Sequence, residues 1–218
     1  MARWVVKLGG SLIESPHLDQ WLAVLADSGV IIVPGGGPFA DQVRITQQRL
    51  AFDDATAHAM ALLAMAQYGL LLKTRCPALQ VEDRLERLLR RSSTGRSVIW
   101  LPGLELLDQA DIPQTWAVTA DSLAAWLAGH LAIDRLLLVK SASAAALSPG
   151  LADLSRAGVV DPALESFALR SGLSVWLSPA SGHAGWRTLR QGFSPCLQYA
   201  RRADTGFDPC DRPEPGRG

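Results

Sequence analysis

The sequence predicts an α/β protein: a mainly parallel sheet sandwiched by helices. Residues 30–33 and 136–139 are wholly apolar runs, typical of strands buried on both faces of a parallel sheet. Residues 18–26 carry apolar side chains at helical spacing. Segments of these two kinds alternate along the chain, which favours parallel strands joined by helical crossovers.

Each element has its own signal. The predicted strands cover residues 4–8, 30–33, 70–72, 97–101, 135–139 and 173–177. The predicted helices cover residues 18–26, a segment from about residue 39, residues 53–68, a segment around 85–91, residues 119–131 and part of 159–170. Asp53 or Asp54 is suited to cap the third helix. From residue 201 onward the composition is rich in Arg, Pro, Gly and Asp without periodicity, which predicts one domain over 1–200 and a disordered tail over 201–218.

Composition and charge exclude some functions. The 218 residues are 48% hydrophobic and 19% charged, and 21 basic residues balance 21 acidic ones. Binding to nucleic acid or to an anionic membrane through bulk charge is therefore not expected. No leader sequence and no uninterrupted apolar run of membrane-spanning length is recognised. The three cysteines have no metal-ligand spacing, so we expect a cytoplasmic protein without a protein-held metal.

Lysine is scarce: only Lys7, Lys73 and Lys140 occur among the 21 basic residues. All other Lys or Arg positions in the chain are arginine. The few positions that carry lysine therefore suggest a site that needs a compact ammonium charge. All three are predicted to lie at the ends of apolar strands.

Two glycine-rich loops each follow a predicted strand and precede a helix. They contain Gly9 and Gly10 after Lys7, and residues 35–37 after the second strand. Either loop alone could be a tight turn. Together, and beside a lysine, they favour close approach of the backbone to a phosphate at a helix N-terminus. The patterns GxxxxGK[ST] and GxGxxG are absent, so neither a P-loop nor a dinucleotide site is supported.

Three further groups have two interpretations each. Thr119 could cap a helix with Asp121 in its first turn, or Asp121 could orient lysines at the carboxyl edge of the sheet. Lys140 could be a solvated strand end or part of the same site. His58 could reach a substrate pocket, or it could be a core or capping histidine.

Four segments in this order resemble the amino acid kinase family, whose fold is carbamate kinase-like: KLGGS at 7–11, VPGGGPFAD at 33–41, VTADSLAAWLA at 118–128 and LLLVKS at 136–141. The resemblance implies phosphoryl transfer from ATP to a small phosphate or carboxylate substrate. It implies an acceptor-binding lobe over about 1–115 and an ATP-binding lobe over about 116–200. It also implies Mg²⁺ held mainly by the ATP phosphates, and a homo-oligomer.

The same resemblance assigns roles to particular residues. The implied catalytic residues are Lys7, Asp121 and Lys140. The implied nucleotide-binding residues are Gly9, Gly10, Ser11, Lys140, Ser141 and Asp161. The implied acceptor-binding residues are Gly35, Gly36, Gly37, His58 and Thr119. His183 and Arg187 are further candidates for approaching ATP.

Within the family, the segments 34–44, 54–61, 64–69 and 112–116 resemble kinases of methanofuran biosynthesis. That resemblance implies conversion of an aminomethylfuran-methyl monophosphate to its diphosphate. One departure is that Ser-Ala-Ser-Ala follows Lys140, where many members carry Asp-Gly. Two alternatives stay open: a kinase for another phosphate or a carboxylate, and a non-catalytic protein that binds nucleotides or oxyanions.

Overall fold

A sheet runs through the computed structural model, which describes residues 3–147, 150–191 and 201–203. The described strands are β1 (Val5–Leu8), β2 (Ile31–Pro34), β3 (Gln80–Glu82), β4 (Val98–Trp100), β5 (Arg135–Lys140), β6 (Ser174–Pro179) and β7 (Arg201–Ala203). Their order in the sheet is β3-β4-β2-β1-β5-β6-β7. The first six are parallel, and β7 is antiparallel to β6. The predicted fold class is confirmed.

Helices cover both faces of this sheet. They are α1 (Leu18–Ala26), α2 (Gly37–Leu50), α3 (Asp54–Arg75), α4 (Leu85–Ser92), α5 (Ala120–His130), α6 (Leu151–Arg156), α7 (Leu164–Arg170) and α8 (Trp186–Arg190). One core joins alternate residues of β1 and β5, such as Val5 and Leu138, to α5 and α7. A second core joins the intervening residues, such as Val6 and Val139, to α1 and α8. The strands are therefore buried on both faces, as their apolar runs predicted.

The predicted strand at 70–72 is wrong, because these residues continue α3. Leu72 is buried whereas Leu70 is half exposed, so this apolar run turns with the helix. Lys73 therefore does not end a strand. Its Nζ donates to the carbonyl oxygens of Pro77 at 2.7 Å and Leu79 at 2.6 Å, where the chain leaves α3.

The sequence also missed β3, an edge strand of three residues in which only Val81 is apolar. Arg201–Ala203 lie in β7, so the predicted disorder does not begin at residue 201. Residues 204–218, the rest of the predicted tail, lie outside the described residues. The segments assigned to the two lobes contribute β1–β4 and β5–β6 to the same sheet, joined where β1 pairs with β5.

Helix α3 is 22 residues long and begins at the predicted cap, where Asp53 accepts the N–H of Thr56 at 2.7 Å. By length and composition alone, α3 is apolar enough to cross a membrane. However, 44% of its most apolar 18-residue window is buried inside the fold. Its residues Leu62 and Tyr68 belong to the two cores, which is how a core helix packs.

Candidate functional site

The pairing of β1 with β5 brings two of the three lysines together. Lys7 of β1 lies opposite Leu138 of β5 in the register, and Lys140 is two residues beyond Leu138 on β5. Since side chains two residues apart on a strand share a face, both lysines project to the face covered by α5. Their side chains are only 7% and 13% exposed.

Asp121, in the first turn of α5, lies between these two lysines. One carboxylate oxygen, Oδ1, is 2.8 Å from Lys7 Nζ, and the other, Oδ2, accepts a hydrogen bond from Lys140 Nζ. Burial raises the pKa of Asp121, but the charges of Lys7 and Lys140 outweigh it and lower the pKa to about 2. Burial and the charge of Lys7 lower the pKa of Lys140. One carboxylate thus separates two ammonium groups and leaves the cluster with a net positive charge.

Asp161 fixes the start of α5 and therefore the position of Asp121. Its Oδ2 accepts the backbone N–H groups of Thr119 at 3.0 Å, Asp121 at 3.1 Å and Ser122 at 3.0 Å. Its Oδ1 accepts the Thr119 hydroxyl at 2.5 Å. Burial, and then the charge of Asp121, raise the pKa of Asp161. Thr119 occupies the N-cap position without a capping bond from its own side chain, so Asp161 is the cap, supplied from 42 residues away.

The two glycine loops contact each other through their backbones. A Cβ built on Gly10 would lie 2.0 Å from the nitrogen of Gly37, and one built on Gly35 would lie 2.3 Å from the nitrogen of Gly10. Gly37 also has a positive φ of 54°, which favours glycine. Only residues without a side chain fit at Gly10 and Gly35.

The first loop has part of its backbone available for an anion. The N–H of Gly9 is used, since it donates to the Val139 carbonyl at 3.0 Å. The next residues form a short 3-10 helix, Gly10–Glu14, whose first N–H groups have no acceptor within the helix. Beside them, the hydroxyls of Ser11 and Ser141 are hydrogen-bonded at 2.8 Å and join the ends of β1 and β5.

A cavity of about 160 Å³ lies on the other side of Lys7, between α2, α3 and the start of α5. Its polar lining consists of Lys7, Gly10, Gly35, Gly36, Gly37, Asp41, Arg44, His58, Trp116 and Thr119. Its apolar lining includes Ala61, Leu62, Met65, Val118 and Leu123. The structure therefore brings every residue predicted to bind the acceptor to one cavity.

Three lining residues with polar atoms in their side chains, Asp41, Arg44 and Trp116, were not among the predicted site residues. Arg44 stacks on Trp116, with its Cζ atom 3.9 Å from the ring centroid. Trp116 Nε1 donates to Gln47 Oε1 at 2.6 Å, which fixes the ring against α2. Helix α2 begins in the second glycine loop, and Asp41 and Arg44 lie about one and two turns after its start. Their helical spacing from the loop was therefore a sequence signal that could have identified them. Nothing in local spacing indicated Trp116.

The remaining predicted residues lie apart from the cavity. Ser11 and Ser141 bond to each other and do not line the cavity, and both oxygens of Asp161 already accept bonds from the start of α5. His183 lies in the segment between β6 and α8, and Arg187 lies in α8. Neither residue lines the cavity. Within the described ranges, no three His, Cys, Asp or Glu side chains are grouped as a metal site.

Comparison with known proteins identifies the family. A model of the amino acid kinase family matches residues 2–144, more than half of the chain. The chain belongs to the amino acid kinase family. This agrees with the prediction of a phosphotransferase that uses ATP.

A curated member of this family is similar in sequence. The (5-(aminomethyl)furan-3-yl)methyl phosphate kinase of Methanocaldococcus jannaschii is 28% identical over 138 residues, which cover 62% of this chain and 63% of the relative. The matched part is thus less than two thirds of that relative's length.

Solved structures of other kinases share the fold. A uridylate kinase from Archaeoglobus fulgidus has a TM-score of 0.61 at 17% identity, covering 87% of this chain and 94% of its own. A UMP kinase from Bacillus anthracis has a TM-score of 0.65 at 18% identity, with 87% and 92% covered. An aspartate kinase from Synechocystis has a TM-score of 0.56 at 16% identity, with 83% and 38% covered. The fold is therefore that of the amino acid kinases.

The contact between the glycine loops gives a first prediction for this kinase-family chain. In Gly10→Ala the added methyl group would lie 2.0 Å from the backbone nitrogen of Gly37. This distance is too short for two non-bonded atoms, so the two loops must move apart. We expect a loss of about 1–3 kcal/mol in unfolding free energy and a fall of about 100-fold in kcat/KM. Denaturant unfolding and a coupled kinase assay measure both. Gly150→Ala is the control, because nothing lies within 4 Å of its Cβ position and its φ is −66°. Equal behaviour of the two variants would show that the loop contact is dispensable.

The cap on α5 gives a second prediction. Asp161→Ala leaves three N–H groups and a hydroxyl without their acceptor, which costs about 1–3 kcal/mol. Since Asp121 then shifts relative to both lysines, kcat should fall about 10- to 100-fold. Asp161→Asn keeps one acceptor oxygen and should retain more of both. Steady-state kinetics together with thermal unfolding test this. A variant that loses stability at unchanged kcat would show that Asp161 does not position Asp121 for the reaction.

Proposed function

We propose that this protein transfers a phosphoryl group from ATP to a small monophosphate, in the cytoplasm. The acceptor best supported is (5-(aminomethyl)furan-3-yl)methyl phosphate, converted to its diphosphate during methanofuran or methylofuran synthesis. The observation that carries the proposal is the Lys7–Asp121–Lys140 cluster, whose Lys7 lines a cavity together with both glycine loops. The similarity to the methanocaldococcal kinase supports this acceptor.

The charge of the site fits a nucleotide triphosphate. Two buried ammonium groups share one carboxylate, and the N–H groups at the start of the Gly10–Glu14 helix lie beside them. ATP would supply the transferred phosphoryl group, and Mg²⁺ would be held by its phosphates. Gly10, Ser11 and Lys140 would bind those phosphates from the β1–β5 side.

The remaining steps are performed by residues of the chain. Lys7 lines the acceptor cavity and also contacts Asp121, so its ammonium lies where charge spreads during transfer. Lys140 stabilises negative charge from the nucleotide side. An acceptor that is already ionised needs no strong general base, so catalysis here is alignment and charge neutralisation.

Two other functions remain candidates. The same fold could phosphorylate a carboxylate or another monophosphate such as isopentenyl phosphate. Lys7 and Asp121 argue against a non-catalytic protein that binds nucleotides or oxyanions, whereas the Ser-Ala-Ser-Ala segment after Lys140 keeps that alternative open. A screen of small phosphomonoesters and carboxylates, with products identified by ³¹P NMR, separates these. Formation of a diphosphate supports the proposal, whereas ATP binding without turnover of any acceptor supports the non-catalytic alternative.

Lys7→Ala is the direct test of the mechanism. We expect kcat to fall at least about 100-fold, as for loss of a group that stabilises transition-state charge. Lys73→Ala is a matched control, since Lys73 bonds only to carbonyls beyond α3 and should affect stability rather than kcat. If ATP turnover survives Lys7→Ala unchanged, the proposed role of Lys7 is wrong.

We also propose a homo-oligomer formed through α3. Met60, Leu63 and Leu70 expose 37%, 44% and 52% of their surface along one stripe of this helix, and Ile45 and Leu50 of α2 are also exposed. A second copy would remove this apolar surface from water. Analytical ultracentrifugation should show a dimer or larger assembly that Leu63→Arg dissociates. A monomeric wild-type protein would contradict this.

A further inference from the structure

His58 places a buried hydrogen-bond acceptor on the wall of the cavity. The residue is 4% exposed, and its Nε2 atom is buried without a partner in the described part of the chain. The imidazole ring forms a hydrogen bond with the backbone of Thr115. The N–H of Thr115 already donates to the Pro113 carbonyl. The ring therefore donates to the carbonyl oxygen of Thr115. The proton is therefore on Nδ1, and Nε2 presents a lone pair.

Burial supports this assignment. It lowers the pKa of His58, against the opposing effect of the Thr115 bond, so the imidazole is neutral near pH 7. A buried polar atom without a partner is costly, and a ligand that donates a hydrogen bond would remove that cost.

Asp41 adds an unpaired negative charge to the same cavity. It lies three residues before Arg44 on α2, a spacing at which an aspartate and an arginine commonly pair. Arg44 instead stacks on Trp116, and among the described residues Asp41 forms no ion pair. Both Asp41 and His58 line the cavity, and the groups they have available for a ligand, the carboxylate of Asp41 and Nε2 of His58, are hydrogen-bond acceptors.

The cavity therefore has two chemically opposite parts. Lys7 and the glycine backbone favour an anion, and His58 and Asp41 favour a cationic donor. Leu62, Met65 and Leu123 add apolar lining to the same cavity. A ligand that matches all three carries a phosphate, a short apolar body and a protonated amine.

We propose that His58 and Asp41 form a subsite for a primary ammonium group on the phosphoryl acceptor, with His58 Nε2 accepting one of its hydrogens. This deepens the proposed function and rests on it. It selects amine-bearing monophosphates against amine-free monophosphates of the same size. His58 and Asp41 then determine specificity, and the lysine cluster determines transfer.

The test compares two acceptors that differ only in this group. They are (5-(aminomethyl)furan-3-yl)methyl phosphate and its 5-ethyl analogue, in which a methyl replaces the ammonium. Wild type should favour the amine at least about tenfold in kcat/KM, the value of one charge-assisted hydrogen bond. His58→Leu should raise KM for the amine by about tenfold. Asp41→Asn should raise it about threefold to fivefold at low salt, because Asp41 is exposed. Neither variant should change KM for the ethyl analogue.

Asp27→Asn is the control, since it removes an equal charge from the exposed end of α1. Asp41→Asn alters an exposed side chain, so it keeps the test valid if His58→Leu fails to fold. Equal losses with both acceptors, or a wild type that does not discriminate, would overturn the subsite.

A binding measurement separates this proposal from the proposed function. If wild type turns over neither acceptor, the proposed function fails. The thermal shift produced by each acceptor without ATP then decides the subsite. A larger shift with the amine, reduced in Asp41→Asn but not in Asp27→Asn, supports it. Equal shifts for the two acceptors contradict it.

Discussion

The position of one carboxylate, Asp121, between two ammonium groups is the constraint on which the rest of the site depends. Lys7 and Lys140 lie on adjacent strands and would repel each other without it. Burying three charges carries a large desolvation cost, which mutual attraction offsets only when the geometry is held closely. The cluster itself holds two positive charges and one negative charge, and the carboxyl group of Asp161 is close enough to act on it electrostatically. The close geometry of the three side chains is therefore what keeps both ammonium groups at the end of the sheet.

Asp161 holds the start of α5 and with it the position of Asp121. The N-terminus of a helix is itself an anion site, and α5 begins beside the lysines. Asp161 accepts the N–H groups of Asp121 and Ser122 in this first turn, together with the N–H and hydroxyl of Thr119. A carboxylate of the protein thus binds part of the helix end that a free anion could otherwise bind. The same bonds hold Asp121 in place between the two lysines.

The sequence predicted those site residues whose positions follow from the apolar pattern of a single strand or helix. Lys7 and Lys140 end or nearly end apolar strands, and Asp121 follows a helix start, so strand and helix signals located all three. Lys73 was misplaced because an apolar run of three leucines fits a strand or the end of a long helix equally well. The capping role of Asp161 and the Arg44–Trp116 stack join residues 42 and 72 positions apart. Such pairs arise from tertiary packing, and no local spacing encodes them.

The two-part cavity bears on catalysis as well as on specificity. A monophosphate held only by Lys7 and the glycine backbone could rotate about its phosphate, and phosphoryl transfer is sensitive to alignment. A second attachment through His58 Nε2 would fix the direction in which the acceptor oxygen points. Gln47 and Arg44 hold the ring of Trp116 on the cavity wall, and the stack engages a guanidinium that could otherwise pair with Asp41. Asp41 therefore has no ion-pair partner among the described residues, and its charge is available to a cationic group of a ligand.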